Sequence, residues 1–222
     1  MPKFCFLSHI IEQKIPEYGK GNIALDDLLI KSIERGDSCN MHKTNLSSHI
    51  GTHIDCPRHF FDKGKSISCY PADYCILNEP FVIYKNLRKN EIVNKEVFFS
   101  VPLNADMVIF KSNFQRFRKK PEYSFNNPGI SEEAANWLRK NRPKVKILGV
   151  DFISISSFKN RELGRRSHEA FLNPNSKNKP ILILEDMNLS ALNNKAKLSM
   201  VWVFPLRVGF WDSAPCTVIG KI

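Results

Sequence analysis

Three of the six histidines in this chain fall within one short segment, at His49, His53 and His59, and Asp55 lies among them. Imidazole nitrogens and carboxylate oxygens are the ligands that suit Zn²⁺, Mn²⁺ and Fe²⁺, and geometry selects between these metals. Three such ligands with no fourth nearby describe an open site, which a catalytic metal needs in order to hold water. The segment therefore predicts a catalytic metal centre rather than ordinary histidines around a turn.

The segment must curl for its ligands to meet. A fully extended strand from His49 to His59 would span roughly 33 Å at about 3.3 Å per residue, so one ion could not contact both ends. Gly51 and Pro57 occupy positions at which the chain could turn. The four-residue spacing of the first two histidines suits a helical turn, whereas the two-residue spacing from the second histidine to the aspartate suits a strand.

Buried strands are the main elements that must position this segment. Runs rich in aliphatic, β-branched and aromatic residues predict strands at residues 4–10, 79–85, 107–111, 145–150, 180–184, 202–208 and 217–219. Residues 16–22 contain Pro and two Gly and are predicted to form a loop. This pattern favours an α/β or α+β domain with a substantial mixed sheet.

Two segments have helical features. Apolar residues at positions 25, 28, 29 and 33 have a helical spacing and predict a helix over 24–35. Ser131 is a good N-cap, acidic residues follow it in the first turn, and the helix is expected to end at 141–143, where Pro143 stands. No Gly/Ser/Pro-rich linker divides the chain, so residues 1–222 are expected to form one domain.

The composition restricts the classes of partner. The chain has 33 Lys and Arg against 22 Asp and Glu, a net charge of +11, but the basic residues are scattered and no nucleic-acid-binding motif accompanies them. We therefore expect no nucleic-acid partner, although a basic, non-catalytic binding protein that retains a metal site is an alternative.

No stretch approaches the ~20 apolar residues of a membrane helix, so no membrane partner is expected, and a cytoplasmic location is the default. The six cysteines form no C-x-x-C pair.

The histidine segment resembles that of a known family. Residues 49–59 read His-Ile-Gly-Thr-His-Ile-Asp-Cys-Pro-Arg-His and match every fixed position of the H-x-G-T-H-x-D-x-P-x-H motif of the cyclase family, which includes bacterial kynurenine formamidase and isatin hydrolase. The resemblance extends along most of the chain, from about Leu7 to Ile219. Further stretches that carry it are residues 7–9, 60–67, 127–131, 149–151, 167–172 and 183–189.

This resemblance implies a swivelling β/β/α-type fold, usually a homodimer or larger, with one or two divalent ions, Zn or Mn, per chain. The implied ligands are histidines and acids: His49, His53 and Asp55 for the first ion, with Asp55 bridging to a second ion that His168 and Glu185 also bind. His59 would be the proton donor and acceptor. The implied reaction is the hydrolysis of a C–N bond in a small amide, with N-formylkynurenine as the best single candidate and a cyclic amide such as isatin as the alternative.

Three residues outside the histidine segment, Glu185, Glu169 and Tyr18, are also candidates for the site. Glu185 follows four aliphatic residues, so its carboxylate emerges at the end of a buried strand, where it is unfavourable unless paired or metal-bound. Glu169, beside His168, is a rival ligand that the sequence does not exclude. Tyr18 lies where kynurenine formamidases carry a Trp-Pro-Gly-Asp-like loop that packs on the substrate. Tyr18 is therefore a candidate for stacking on a substrate ring, with a plain loop tyrosine as the alternative.

Overall fold

Strands, most of them short, are the commonest regular elements of the structure, a computed structural model that describes residues 3–193 and 197–222. The strands in this part of the chain are β1 (Phe4–Phe6), β2 (Lys14–Glu17), β3 (Gly21–Ala24), β4 (Asp26–Lys31), β5 (Met41–Asn45), β6 (His53–Asp55), β7 (Ile76–Leu77), β8 (Pro80–Tyr84), β9 (Ile92–Val93), β10 (Met107–Lys111), β11 (Gly129–Ile130), β12 (Ile147–Val150), β13 (Leu182–Glu185), β14 (Met200–Pro205) and β15 (Ser213–Lys221). The α-helices are α1 (Pro121–Phe125), α2 (Glu132–Asn141) and α3 (Arg161–Leu172).

One nine-stranded mixed sheet organises the molecule, in the order β7-β14-β15-β6-β13-β12-β10-β8, with β1 paired to β15. Strands β8, β10, β12 and β13 are parallel to one another. Strand β6 runs antiparallel to both of its neighbours, β13 and β15. The short strand β6 therefore lies where the parallel half of the sheet meets the antiparallel half.

The parallel strands are continuous apolar runs because both of their faces are covered. Every residue of β12 and β13 is buried, as are the first four of β10. Helices α2 and α3 pack on each other, and α3 also contacts β13. The predicted mixed sheet with few helices is confirmed. The strand predicted at 107–111 forms with these bounds, and those predicted at 79–85, 145–150 and 180–184 form with boundaries shifted by at most two residues.

The predicted helix after Ser131 is also confirmed. The Ser131 side chain accepts a hydrogen bond from the backbone N–H of Ala134, and Glu132 and Glu133 occupy the first turn. This is the arrangement expected of an N-cap followed by acids near the positive end of the helix dipole. The sequence analysis does not predict α3, the helix that carries His168.

Two predictions in the N-terminal part need correction. The segment at 16–22, predicted as a loop, contains the turn of a hairpin at 18–20, but its two ends belong to β2 and β3. The segment at 24–35, predicted as a helix, contains the strand β4, which pairs antiparallel with β5. Leu28 and Ile33, two of the residues with helical spacing, are 58% and 60% exposed, so their spacing does not reflect a buried helix face. Antiparallel pairing with the next strand, β5, determines the conformation instead.

Within residues 3–193 and 197–222, the longest α-helix has 12 residues, and none combines the length and apolarity required to span a bilayer.

Candidate metal centre

The register of three neighbouring strands builds the centre. On β6, His53 and Asp55 are two residues apart and therefore point to the same face of the sheet. On β13, Glu185 lies directly opposite His53. Cross-strand partners have side chains on the same face, so these three functional groups share one side of the sheet, and all three residues are buried.

Backbone carbonyls orient two of the histidines. Nδ1 of His53 donates to the carbonyl of Gly51 at 2.7 Å, and Nδ1 of His168 lies 3.0 Å from the carbonyl of Gly164 and 3.1 Å from Oγ of Ser156. In both rings Nδ1 is hydrogen-bonded to a backbone carbonyl, so Nε2 is the nitrogen that faces the carboxylates. Nε2 of His53 lies 3.5 Å from Glu185, and Nε2 of His168 lies 3.4 Å from it.

The two glycines that supply these carbonyls suit their positions for different reasons. Gly51 has φ +59°, in the left-handed region where glycine carries no steric penalty. It makes the turn that the sequence analysis expects before β6. A Cβ on Gly164 would lie 2.6 Å from Cα of Ser156, so glycine allows α3 to approach the loop that carries Ser156.

Glu185 is held by the loop after β12. Its Oε1 accepts hydrogen bonds from the backbone N–H of Ile155 at 2.7 Å and from Oγ of Ser154 at 3.1 Å. Oε2 faces His53. These contacts fix the carboxylate at the strand end, where the sequence analysis expects it to be paired or metal-bound.

The other two histidines of the segment are bound by a residue from the far end of the chain. Nε2 of His49 and Nδ1 of His59 each lie 2.8 Å from Oδ2 of Asp212. The two imidazole rings are 4.3 Å apart between centroids. Residues 57–59 form a short 3-10 helix that begins at Pro57, so the chain turns immediately after β6.

Asp55 lies at the centre of the cluster and is 1% exposed. Its Oδ1 is 3.1 Å from Nδ1 of His49 and 3.8 Å from Nε2 of His53, and its Oδ2 is 3.8 Å from Nε2 of His168. Oδ1 nevertheless accepts no well-formed hydrogen bond from the described residues. A buried acceptor without a partner is unfavourable, and a bound cation would satisfy it.

Ligand atoms within 4.8 Å of one another form two groups that share Asp55: one with His49 and His59, and one with His53 and Glu185. This division differs from the expected one, which places His49 and His53 on the same ion. Histidine nitrogens combined with carboxylate oxygens suit Zn²⁺ or Mn²⁺. The residues present therefore fit one or two divalent ions.

Protonation follows from the closeness of these groups. Burial disfavours the charged imidazole, but Asp55 and Asp212 raise the pKa of His49 to about 10. Burial would likewise raise the pKa of Glu185, but hydrogen bonds with His168 and His53 lower it to about 2. In the metal-free centre His49 therefore carries a proton at neutral pH and Glu185 is ionised, and a metal ion bound by His49 would displace its proton.

The centre lines a cavity of about 300 Å³, together with aromatic and aliphatic residues. Phe60 and Ile153 contribute apolar wall, and Tyr18 reaches the cavity from the turn between β2 and β3. Tyr18 packs edge-on against Phe158, with ring centroids 5.6 Å apart. A Cβ at Gly19 would lie 2.6 Å from that phenyl ring, so glycine is required next to Tyr18.

Comparison with known proteins identifies the family. A family model for cyclases, described as "Putative cyclase", matches residues 6–157, which include the whole histidine segment. The chain belongs to the cyclase family. The resemblance seen in the sequence is confirmed.

Relatives from plants and bacteria agree with this cyclase-family membership. The chain is 26% identical to Cyclase-like protein 2 of Oryza sativa subsp. japonica over 222 residues, which covers 96% of this chain and 77% of the relative. It is 29% identical to kynurenine formamidase of Bacillus cytotoxicus over 139 residues, 62% of this chain and 63% of that enzyme. Isatin hydrolase A from Labrenzia aggregata has the same fold, with a TM-score of 0.82, 17% identity, and coverage of 100% of this chain and 94% of that chain. The chain has the hydrolase fold of the cyclase family.

All site residues named from the cyclase-family resemblance border one cavity in the structure: Tyr18, His49, His53, Asp55, His59, His168 and Glu185. Glu169, the rival ligand, points elsewhere, since its Oε1 accepts a hydrogen bond from Nε of Arg165 at 2.9 Å on the surface of α3. The geometry therefore favours Glu185 over Glu169 as a ligand.

Three partners of this cyclase-family centre, Asp212, Ser154 and Ser156, are not predicted from the sequence. Asp212 lies 153 positions after His59, and no spacing rule connects residues so far apart. Asp212 also lacks the local signal of Glu185, which directly follows four aliphatic residues, because Asp212 precedes its strand. The two serines stand in a loop after a predicted strand, where hydroxyl groups are too common to be informative.

Proposed function

We propose that the chain is a metal-dependent hydrolase that cleaves the C–N bond of a small amide, with N-formylkynurenine as the leading substrate candidate. The observation that carries this proposal is the convergence of three imidazoles and two carboxylates on one cavity around the buried side chain of Asp55. The similarity to kynurenine formamidase of Bacillus cytotoxicus supports the choice of an aryl formamide.

The proposed ligands are the cavity-lining acids and histidines: His49, His53 and Asp55 for one ion, and Asp55, His168 and Glu185 for a second. Zn²⁺ and Mn²⁺ both suit this donor set. When bound, such an ion lowers the pKa of coordinated water to about 7 and polarises a carbonyl oxygen.

His59 is proposed as the proton carrier. Hydrolysis adds water across the amide: the C–N bond breaks, the carbonyl carbon gains the oxygen, and the departing nitrogen gains a proton. Nδ1 of His59 is occupied by Asp212, which leaves Nε2 for proton exchange. A free imidazole nitrogen can accept a proton from water and return it to the departing nitrogen.

The cavity walls are proposed to select a small, flat substrate. A volume of about 300 Å³ lies at the lower end of the range for ligand pockets. Phe60 and Tyr18 offer aromatic faces on its border, and Phe60 itself stacks on the ring of His168, with centroids 5.1 Å apart. An aromatic ring bound between them would bring its amide to the metal ligands and exclude water from the opposite side.

A substrate panel tests the proposal. Purified protein with measured Zn²⁺ and Mn²⁺ content is assayed against aryl formamides, the lactam isatin and aryl esters. Turnover of N-formylkynurenine well above isatin supports the leading candidate, whereas preferential ring opening of isatin supports the cyclic-amide alternative. No metal-dependent turnover of any amide, together with salt-sensitive binding of nucleic acid, would contradict the hydrolase proposal and favour the basic binding protein.

We also propose that the protein is a homodimer in the cytoplasm. Four large apolar residues line one wide groove on the surface and are exposed by 67%, 78%, 48% and 48%, in the order Phe6, Ile10, Phe204 and Leu206. Exposed apolar patches on soluble proteins often mark interaction sites. Light scattering after gel filtration distinguishes a dimer from a 25.6 kDa monomer.

A further inference from the structure

Asp212 is placed beside the centre by strand register. It immediately precedes β15, whose first residue, Ser213, pairs with Asp55 on β6. Its backbone carbonyl accepts hydrogen bonds from the N–H and the thiol of Cys56, each at 3.0 Å. The position of Asp212 is therefore fixed by the same strand that carries the central metal ligand.

The side chain of Asp212 accepts three hydrogen bonds, two from the histidine segment and one from Ser48 directly before it. Oδ2 accepts from Nε2 of His49 and from Nδ1 of His59, both at 2.8 Å, and Oδ1 accepts from Oγ of Ser48 at 3.0 Å. Distances of 2.8 Å are typical of charge-assisted hydrogen bonds. One carboxylate oxygen thus joins a proposed metal ligand to the proposed proton carrier.

We infer that Asp212 is a positioning residue that holds His59 with its proton on Nδ1 and turns the Nδ1 face of His49 towards Asp55. The inference rests on the proposed function for the role of His59 as proton carrier, whereas the hydrogen bonds of Asp212 are independent of that function. A carboxylate that accepts from one imidazole nitrogen fixes the tautomer and the ring orientation, as outer partners of metal-bound histidines do.

A carboxylate has a property here that an amide lacks. An ionised Asp is an acceptor only, whereas an Asn also offers two donors from its amide nitrogen. An Asn at position 212 could therefore donate to Nδ1 of His59 and favour the other tautomer, with the proton on Nε2. An analogous Asp-to-Asn change beside the histidine of a serine protease triad lowers kcat by about 10⁴ through the wrong tautomer.

The experiment compares Asp212→Asn, which conserves volume, with Asp212→Glu, which conserves the acceptor. Asp73→Asn is the matched control, because Asp73 is an exposed carboxylate that does not line the cavity. Histidine ¹⁵N spectra in slightly alkaline solution report the His59 tautomer in metal-free and Zn²⁺-loaded protein. Competition with a chelator gives the Zn²⁺ affinity, and thermal unfolding shows whether each variant is folded.

In the native protein and in Asp73→Asn, His59 is expected to carry its proton on Nδ1. Asp212→Asn is expected to lose this preference and to bind Zn²⁺ about 10-fold more weakly. On an amide that the native protein hydrolyses, kcat is expected to fall about 100-fold or more with little change in KM, and Asp212→Glu should recover part of the loss.

A folded Asp212→Asn variant with an unchanged His59 tautomer overturns the inference, and so does one with unchanged kcat on a hydrolysed substrate. If the native protein hydrolyses no amide, the proposed function fails, while the spectra and Zn²⁺ titration still decide the role of Asp212.

Discussion

The centre contains two pairs of histidines that the protein holds in different ways. The inner pair, His53 and His168, has side chains only 6% and 4% exposed, and backbone carbonyls orient both rings. The outer pair, His49 and His59, is 28% and 27% exposed, and both rings are held by the side chain of Asp212, which is itself 34% exposed.

This difference indicates a division of tasks. Backbone acceptors cannot change rotamer, so the inner pair is suited to binding a cation in a constant geometry. The outer pair borders water and can exchange protons with solvent or substrate, which a proton carrier must do. Asp55 contacts both sides, since its Oδ1 faces His49 and its Oδ2 faces His168.

The largest expected effect comes from the residue that the two pairs share. Asp55→Asn keeps the volume but removes the central negative charge, so we expect metal binding to weaken at both sides and activity to fall by about 10⁴ or more, the scale reached when a unit of the catalytic machinery is lost. Metal content by elemental analysis checks this result, with Asp62→Asn, at an exposed position, as the control. Full metal occupancy in Asp55→Asn would show that the two sides bind independently of it.

The outer pair can be tested through its proposed proton carrier. His59→Ala is expected to retain bound metal and to lose kcat by about 10²–10⁴, the usual contribution of general acid–base catalysis. Metal analysis of the same sample, together with steady-state kinetics, separates the two properties. If the metal is lost together with turnover, His59 is instead a ligand, as its place in the group with His49 and Asp55 would allow.

The protonation of the outer pair predicts how metal affinity depends on pH. The pKa of His49 is raised from 6.5 to about 10, so His49 carries a proton at neutral pH in the metal-free protein. A metal ion that binds His49 must displace this proton. The metal affinity should therefore rise with pH, by up to about tenfold per pH unit, until the pH approaches 10. Calorimetry in buffers of different ionisation enthalpy counts the protons released.

The same shift has a consequence for the stability of the metal-free fold. Because the folded-state pKa of His49 is raised, its contribution is complete below pH 6.5 and is lost as the pH rises through about 10. The melting temperature of the chelator-treated protein should fall over this interval. A metal-free protein whose melting temperature is constant from neutral pH to pH 10 would contradict the proposed pairing.

The smallest expected effect concerns a redundant contact of the inner pair. Ser156→Ala removes one of the two groups near Nδ1 of His168, but the carbonyl of Gly164 remains at 3.0 Å. We therefore expect metal affinity to fall by about tenfold at most, the lower limit for outer partners. A chelator competition assay measures it, with Ser176→Ala, at an exposed position, as the control. A much larger loss would mean that the hydroxyl, not the carbonyl, orients the ring.

Local sequence predicted the buried strands well and the exposed N-terminal segment poorly, for one physical reason. Every residue of β12 and β13 is buried, and apart from Glu185 at the end of β13 these strands carry no polar side chain, so the residue types themselves indicate burial. In 24–35 the apolar residues remain largely exposed, and the structure follows from pairing between β4 and β5. The spacing of apolar residues predicts little about secondary structure in a segment that buries none of its faces.

The sequence by itself determined the ligand types, the turn at Gly51, the mixed sheet and the family, because these follow from residue chemistry, local patterns and a contiguous motif. Only the tertiary structure decided which acid faces the centre, that Asp212 joins His49 to His59, and that Asp55 Oδ1 is left without a hydrogen bond. Strand register sets these contacts between residues as far as 163 positions apart, and register depends on how the whole sheet assembles.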